Sequence, residues 1–336
     1  MGGRVSTNKF RRTFPRSSYR KVVNIYVNKK IHETQTRIVF TKFQRRKLKE
    51  VLIEKFFLLN GLLAIVILLG IFSLLFIKSF PAIRELGWKS FFGSTVWNPN
   101  SYTTPQYGIL SLILSTLMVT LGALFIAVPL GVACAAFLSE VASPRIREVL
   151  KPVVEILAGI PSVVVGFLGI VLLNPLIAKV FVISNGLNAL NGAILLAIMS
   201  LPTIISLSED ALRAVPNTYK EGSLALGANP WHTLIHVSLP SALSGIIASI
   251  MLGMGRAIGE TMTVLMATGN APALTFNFLE AVQTMTATIA IELGEVPYNT
   301  THYYALFVIG LVLFAMTFVV NLVSDIILQK YQEVER

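Results

Sequence analysis

Two ionisable residues, Arg256 and Glu260, lie inside an apolar run that extends over residues 241–268. A charged side chain at the centre of a membrane-spanning helix costs about 2.5–3.5 kcal/mol, so it is rarely kept there without a use. Positions i and i+4 share one face of a helix, which predicts that the two side chains interact. A guanidinium also suits the oxygens of an anion such as phosphate. The pattern therefore favours an anion pathway, in which Glu260 keeps Arg256 from holding the anion too tightly.

A structural role for the same two residues is the alternative, with an ion pair between Arg256 and Glu260 fixing the register of packed helices. Thr261 is a weaker candidate for the pathway, because most threonines in membrane spans bond their own backbone. Glycines at positions 253, 255 and 259 remove bulk around the charges and allow another helix or a hydrated solute to come close.

A polar loop, residues 214–240, precedes this span and is predicted to form a helical hairpin. Thr218 and Glu221 have the spacing of a capping box, which predicts that the first helix starts there. Gly227 supplies the left-handed residue that ends this helix. Asn229, as N-cap, and the proline that follows it start the second helix, which leads to the next span.

The loop resembles the EAA loop of ABC-importer permeases, whose pattern is Glu-Ala-Ala, three residues, Gly, nine residues and Ile-x-Leu-Pro. The residues that carry the resemblance are Glu221, Gly222, Ser223, Gly227, Leu239 and Pro240. Gly222 and Ser223 replace the two alanines of the pattern, and Val237 replaces its isoleucine. In that family the loop faces the cytoplasm and docks into a cleft of the ATPase subunit, so the resemblance implies the same for this loop.

The span that follows reads Gly-Arg-Ala-Ile-Gly-Glu-Thr over residues 255–261 and resembles the PstC-type permeases of high-affinity phosphate importers. Stretches 158–169 and 286–295 agree with the same family, and the resemblance covers roughly residues 56–330. It implies an all-α integral membrane protein with six transmembrane helices and the type I ABC-importer permease architecture. It also implies three kinds of partner: a second homologous permease subunit, cytoplasmic ATPase subunits and an extracytoplasmic phosphate-binding protein.

The composition independently indicates a membrane protein, because 54% of the residues are hydrophobic and 13% are charged, against about a quarter charged in soluble proteins. The sequence has no G-x-x-x-x-G-K-[ST] phosphate loop, no HExxH and no GxSxG motif. We therefore predict that the chain is not an enzyme, has no catalytic or metal site, and needs no cofactor, ATP being bound by a partner subunit.

Six apolar runs are long enough to cross a membrane, and they occupy residues 56–77, 108–138, 153–178, 192–207, 241–268 and 303–328. Lys78, Pro81 and Arg84 are predicted to end the first run. A charged loop is predicted at 140–151, and a surface helix at 276–293.

Residues 1–55 contain 16 of the 28 Lys and Arg residues and three acids. This bias predicts that both termini are cytoplasmic in a multi-pass protein of a bacterial or archaeal plasma membrane. Contact with anionic membrane lipid is favoured over nucleic acid, because no nucleic-acid fold accompanies the basic residues. The sequence leaves open whether this segment is disordered or forms a small cap.

The predicted domains are the basic segment 1–55, a permease domain over 56–330 and a cytoplasmic tail, 331–336. Two other functions fit parts of the sequence. One is a permease for another oxyanion, such as sulfate or molybdate, and the other is a membrane-embedded phosphate sensor or scaffold.

Overall fold

The computed structural model describes residues 16–101 and 104–334. The chain divides into two compact units, one ending at Ile71 and the other beginning at Phe72. The first residues of the predicted N-terminal segment and the last two of the predicted tail lie outside the described ranges.

Helix α1 (Arg16–Phe92) contributes to both units. The described part of the predicted basic segment, from Arg16, is helical. Within the first unit, residues 56–69 expose large apolar side chains on every side of the helix. A helix that is apolar all round is typical of a membrane span.

The remaining elements follow in chain order. They are β1 (Trp97–Asn98), β2 (Gln106–Tyr107), α2 (Leu110–Ala136), α3 (Pro144–Ala158), α4 (Ser162–Leu168), α5 (Asn174–Phe181), α6 (Ala189–Ala214), α7 (Asn217–Ala225), α8 (Pro230–Thr233), α9 (Leu239–Ser241), α10 (Leu243–Gly259), α11 (Met262–Ala267), α12 (Met285–Glu292) and α13 (Thr301–Val334). Single π-turns at Phe137–Val141, Gly169–Leu173 and Leu234–Ser238 join some of these helices.

Five stretches of helix are long and apolar enough to cross a membrane: Glu50–Phe92, Leu110–Val141, Ser162–Phe181, Ala189–Ala214 and Thr301–Ile327. A sixth is a broken span, in which Pro230–Ser241 and Leu243–Gly259 meet at an angle of 68°. The predicted all-α fold with six spans is confirmed when this bent pair counts as one span.

Helix α6 lies at the centre of the second unit and packs mainly against α2 and α10. Ile204 of α6 fills the space that two glycines leave open, because a Cβ on Gly131 of α2 or Gly253 of α10 would lie 2.7 or 2.9 Å from its side chain. Small residues at such crossings let helix backbones approach closely, which is how helices associate in lipid.

The first span does not end where the sequence predicted. Pro81 lies inside α1, and the helical backbone is interrupted at Gly87, where φ is 73° and ψ is 157°. Ala82 and Phe91 are completely buried in a cluster with α2 and α13. This packing keeps the segment helical although the proline removes one backbone donor.

Two further predictions in this region were wrong. The charged loop at 140–151 is largely the helix α3, which has Pro144 in its first turn and no buried residue. The third span starts at Ser162 rather than at 153, because the chain turns between α3 and α4 at Gly159–Pro161. An apolar run that crosses a turn cannot be divided by composition alone.

The two ends of the bundle differ in structure. At one end, here called the loop side, the π-turn after α2, helix α3 and the loop 214–240 come together. The opposite end, here called the hairpin side, contains β1 paired antiparallel with β2, together with α12. The predicted surface helix at 276–293 is shorter than expected, because only Met285–Glu292 is helical.

A buried polar cluster joins the elements of the hairpin side. The indole Nε1 of Trp97 donates to both carboxylate oxygens of Glu292, at 2.9 and 3.1 Å. Nε2 of His302 lies 2.7 Å from Glu292 Oε2. Because these residues belong to β1, α12 and α13, the cluster fixes all three elements to one another.

We predict that Gly131→Leu destabilises the protein by about 1–3 kcal/mol, because the larger side chain must displace Ile204 from a packed crossing. The matched control is Gly61→Leu in α1, where the added Cβ would meet no atom within 4 Å apart from its chain neighbours and its own helix backbone. Thermal unfolding of the purified variants in detergent measures both. Equal unfolding temperatures for the two variants would contradict the packing described here.

Candidate functional site

The span that carries Arg256 and Glu260 is broken between them. Helix α10 ends at Gly259, Glu260 has an extended ψ of 131°, and α11 starts at Met262. The two side chains therefore do not share one helix face, and they form no ion pair within the part of the chain whose side chains are described. The prediction of an i,i+4 pair was wrong.

Side chains replace the hydrogen bonds that the break removes. The hydroxyl of Thr286 donates to the backbone carbonyl of Glu260 at 2.8 Å. The Glu260 carboxylate accepts from the backbone N–H of Thr263 at 3.3 Å and from its hydroxyl at 3.4 Å. Non-helical backbone at membrane depth is stable where protein groups bond it. Thr261 lies in the break, and its hydroxyl bonds the carbonyl of Gly259 at 3.3 Å.

Arg256 faces away from this break, into a cavity of about 430 Å³. Its Nη1 donates to the Thr203 hydroxyl at 3.3 Å, across from α10 to α6. The cavity is lined by Thr203, Leu252, Gly255, Arg256, Thr317 and Asn321. The guanidinium thus lies among two hydroxyls, one amide and apolar groups, with no acid in the lining.

The polar loop forms the predicted hairpin with a different start. Helix α7 begins at Asn217 with no side-chain cap, so the Thr218–Glu221 capping box was a wrong prediction. Pro216 takes the N-cap position with an extended ψ of 133°, and the helix begins at the residue that follows it. Gly227 adopts a φ of 90°, and the Asn229 side chain accepts from the N–H of His232 at 2.7 Å, both as predicted.

The residues of the loop pattern occupy helix α7, the turn at Gly227 and helix α9. Glu221 and Gly222 are exposed, and a Cβ on Gly222 would meet no atom within 4 Å apart from its chain neighbours and its own helix backbone. Ser223 shares a hydrogen bond of 2.9 Å with Thr233, which joins the two arms. Leu239 and Pro240 belong to α9, immediately before the 68° bend.

Apolar side chains at the tip of the hairpin are exposed. Leu226 is 91% exposed and Trp231 66% exposed. Leu226 lies outside the candidate spans, whereas Trp231 belongs to Pro230–Ser241, the first half of the bent pair. Contact with lipid in a span therefore does not explain the exposure of Leu226.

Comparison with known proteins identifies the family. Residues 127–333 match the model of the binding-protein-dependent transport system inner membrane component. The chain belongs to this family. It is thus a permease component and a multi-pass inner-membrane protein.

Individual relatives agree. The permease is 39% identical over 255 residues to "Probable ABC transporter permease protein YqgH" of Bacillus subtilis, a match that covers 76% of this chain and 81% of that protein. It is 34% identical over 289 residues to the phosphate transport system permease protein PstC of Mesorhizobium japonicum, with coverage of 80% and 87%.

A solved structure confirms the architecture. The inward-facing MetNI methionine ABC transporter has a chain that superposes with a TM-score of 0.52 at 20% identity, covering 66% of this permease and 95% of that chain. The predicted type I ABC-importer permease fold is confirmed. Because the identity is low, this likeness concerns the fold.

The loop of the permease is anchored to the spans by an ion pair that the sequence analysis missed. Lys220 Nζ lies 2.6 Å from Glu140 Oε1, and both side chains are mostly buried, at 18% and 19% exposure. Glu140 belongs to the π-turn that continues α2. The carbonyls of this turn, at Leu138 and Ser139, accept from the Arg147 guanidinium at 2.7 Å each. Helix α7, the end of α2 and α3 are thereby connected.

A second missed residue is Glu209, whose side chain is 1% exposed within α6. Its carboxylate lies 2.8 Å from Lys151 Nζ of α3 and 3.3 Å from Arg213 Nη1. The sequence placed Glu209 beyond the apolar run 192–207, in a polar continuation of the span. Its position four residues before Arg213 was the available signal for an ion pair.

The hydrogen bond to Glu209 raises the pKa of Lys151 above its ordinary value of 10.5, against the opposing effect of partial burial. A raised lysine pKa means that the folded protein binds this proton more tightly than the unfolded chain. The stabilisation is therefore fully present below pH 10.5 and is lost as the pH rises through the raised pKa.

We predict that Lys151→Met destabilises the permease more than Glu209→Gln. The first change leaves a buried carboxylate with Arg213 as its remaining partner, at a cost of about 2–3 kcal/mol, whereas the second leaves an accessible ammonium that water solvates. Thermal unfolding at neutral pH compares them. A larger loss for Glu209→Gln would contradict this account.

We also predict that Lys220 and Glu140 are energetically coupled by about 1 kcal/mol. Lys220→Glu and Glu140→Lys should each destabilise the fold, and the double variant should recover much of the loss. The control combines Glu140→Lys with Lys179→Glu, since Lys179 belongs to α5 and is remote from the pair along the bundle. Additive unfolding free energies for the contacting pair would rule out the anchor.

Proposed function

We propose that this permease is a transmembrane subunit of an ATP-driven phosphate importer and forms the translocation pathway with a second homologous permease. The relatives that are named phosphate transport system permease proteins support the solute. The observation that carries the proposal is the placement of Arg256 on α10, three residues before this helix ends at Gly259, in a cavity that no carboxylate lines.

The energetic argument concerns the depth of Arg256. It follows Leu243, the first residue of α10, by thirteen residues, which corresponds to about 20 Å of helix. A guanidinium at that depth is tolerated where it meets water, protein or a passing anion rather than lipid. Phosphate oxygens match the donor geometry of arginine, so the cavity is suited to a phosphate in transit.

Glu260 and Thr261 have a different role in this proposal. They lie in the break between α10 and α11, where hydrogen bonds to Thr263 and Thr286 hold the backbone. Broken helices are the elements that line solute sites in membrane transporters. We assign Glu260 to shaping the pathway wall and to setting the relative placement of the two half-helices.

Energy enters through the loop 214–240. We propose that a cytoplasmic ATPase binds ATP and docks on this loop, with Glu221, Gly222 and Ser223 on the contacting helix and Gly227 at its end. The exposure of Leu226, which lies outside the candidate spans, supports a protein partner. Leu239 and Pro240 then transmit movement to α10 through the bend. The chain itself needs no cofactor in this scheme and binds no nucleic acid.

The distribution of basic residues supports an orientation for the second unit. Arg145, Arg147, Lys151, Arg213 and Lys220 belong to the loop side, so we place it in the cytoplasm. Both termini are assigned to the same compartment, where the basic N-terminal segment meets anionic lipid. An extracytoplasmic phosphate-binding protein would then deliver solute to the hairpin side.

The test is uptake of labelled phosphate by cells that lack their own phosphate importers and express the complete complex. We expect uptake that depends on ATP and that excess sulfate or molybdate does not suppress. Glu260→Ala should abolish this uptake while the complex assembles normally, because the half-helix α11 loses its charged anchor. Uptake of sulfate or molybdate in place of phosphate would assign the permease to another oxyanion.

A control separates the charge of Glu260 from its hydrogen bonds. Glu260→Gln keeps an acceptor for Thr263 and removes the charge, so it should retain assembly and show whether the charge itself is needed. Normal phosphate uptake by a correctly inserted Glu260→Ala permease would remove Glu260 from the pathway.

A further inference from the structure

We infer that the cavity beside Arg256 is an oxyanion subsite to which α6 and α13 contribute as much as α10, with Thr203, Thr317 and Asn321 as its uncharged polar groups. This inference rests on the proposed function and extends it. Glu260 is not part of this subsite, because it bonds Thr263 at the break between α10 and α11 and does not line the cavity.

The first observation is the charge of the cavity. Its six lining residues include one cation, Arg256, and no acid. The other polar groups are two hydroxyls and one amide, at Thr203, Thr317 and Asn321. An environment with one fixed positive charge and neutral hydrogen-bonding groups attracts an anion and does not compete with it for the guanidinium. A volume of about 430 Å³ leaves room for an oxyanion with part of its hydration shell.

The second observation is that hydrogen-bonding capacity is left over. Arg256 uses one N–H bond, to the Thr203 hydroxyl at 3.3 Å, out of the five that a guanidinium offers. Within the described part of the chain, the side chain of Asn321 has no hydrogen-bond partner. Thr317 donates to its own helix, to the carbonyls of Leu313 and Phe314, and keeps its oxygen as an acceptor.

The third observation is the position of these groups along their helices. Thr203 follows the first residue of α6 by fourteen residues, about 21 Å into the span. Gly255 lies opposite Asn321, and a Cβ at Gly255 would be 3.8 Å from Asn321 Oδ1. Gly255 and Asn321 therefore lie next to each other across the cavity, at a distance where a Cβ would make an ordinary van der Waals contact.

A polar surface of this kind is unfavourable against lipid. Arg256 and Asn321 are exposed in the isolated chain, although both lie within candidate spans. Asparagine and arginine in a spanning helix face a partner helix or a hydrated pathway. Arg256 has further N–H groups that no atom of the described chain accepts, and an anion in a hydrated pathway would bond them.

The test uses the complete complex in proteoliposomes with the solute-binding protein and measures phosphate transported per ATP hydrolysed. Asn321→Asp places a carboxylate beside the anion site at almost unchanged volume. We expect this ratio to fall at least about tenfold, since losing a hydrogen bond to a charged group costs about that factor and repulsion adds to it. Asn321→Leu should give a smaller fall, and ATP hydrolysis should persist in both.

The matched control is Ser324→Ala, one turn further along α13, where the hydroxyl donates to the carbonyl of Val320 at 2.7 Å. It should leave the ratio unchanged. An unchanged ratio in Asn321→Asp would overturn the subsite, and so would an equal fall in transport and ATP hydrolysis, which indicates an interface with the second permease. A wild-type complex that moves no phosphate would instead overturn the proposed function.

Discussion

Satisfaction of backbone hydrogen bonds in hydrocarbon is the constraint on which this permease depends. A spanning segment can leave the helix only where other protein groups bond the freed backbone. The break at Glu260 meets this condition through Thr286 and through the Glu260 carboxylate itself. Because the break is stable, Arg256 and Glu260 can face different surroundings although four residues separate them. The candidate pathway is thus a consequence of how one interrupted helix is held.

Close packing of helices is the second feature that holds the bundle together. The crossing of α2, α6 and α10 at Ile204 depends on glycines that admit the side chain from both sides. Where helices approach this closely, dispersion contacts replace the hydrophobic driving force that lipid does not supply. The same crossing fixes α6, and with it Thr203 and Glu209, relative to the cavity and to α3.

The sequence predicted the features that depend on local chemistry. Gly227 and Asn229 take the turn and cap roles that their side chains dictate, and the apolar runs correspond to the spans. It failed where distant contacts decide the outcome. The segment around Pro81 stays helical because Ala82 and Phe91 are buried, and α10 can end at Gly259 because Thr286, far along the chain, bonds the carbonyl of Glu260. Glu209 was missed because its partner Lys151 belongs to a helix that the sequence described as a loop.

The cluster of Trp97, Glu292 and His302 connects the elements of the hairpin side in a different way from those of the loop side. Three elements that are distant in the chain are bonded through one carboxylate, so β1, α12 and the start of α13 are held to one another. The loop side, by contrast, is linked through separate ion pairs to α2 and α6, and these can break one at a time. The hairpin side is thus held by one shared cluster, whereas the loop side is held by separate ion pairs.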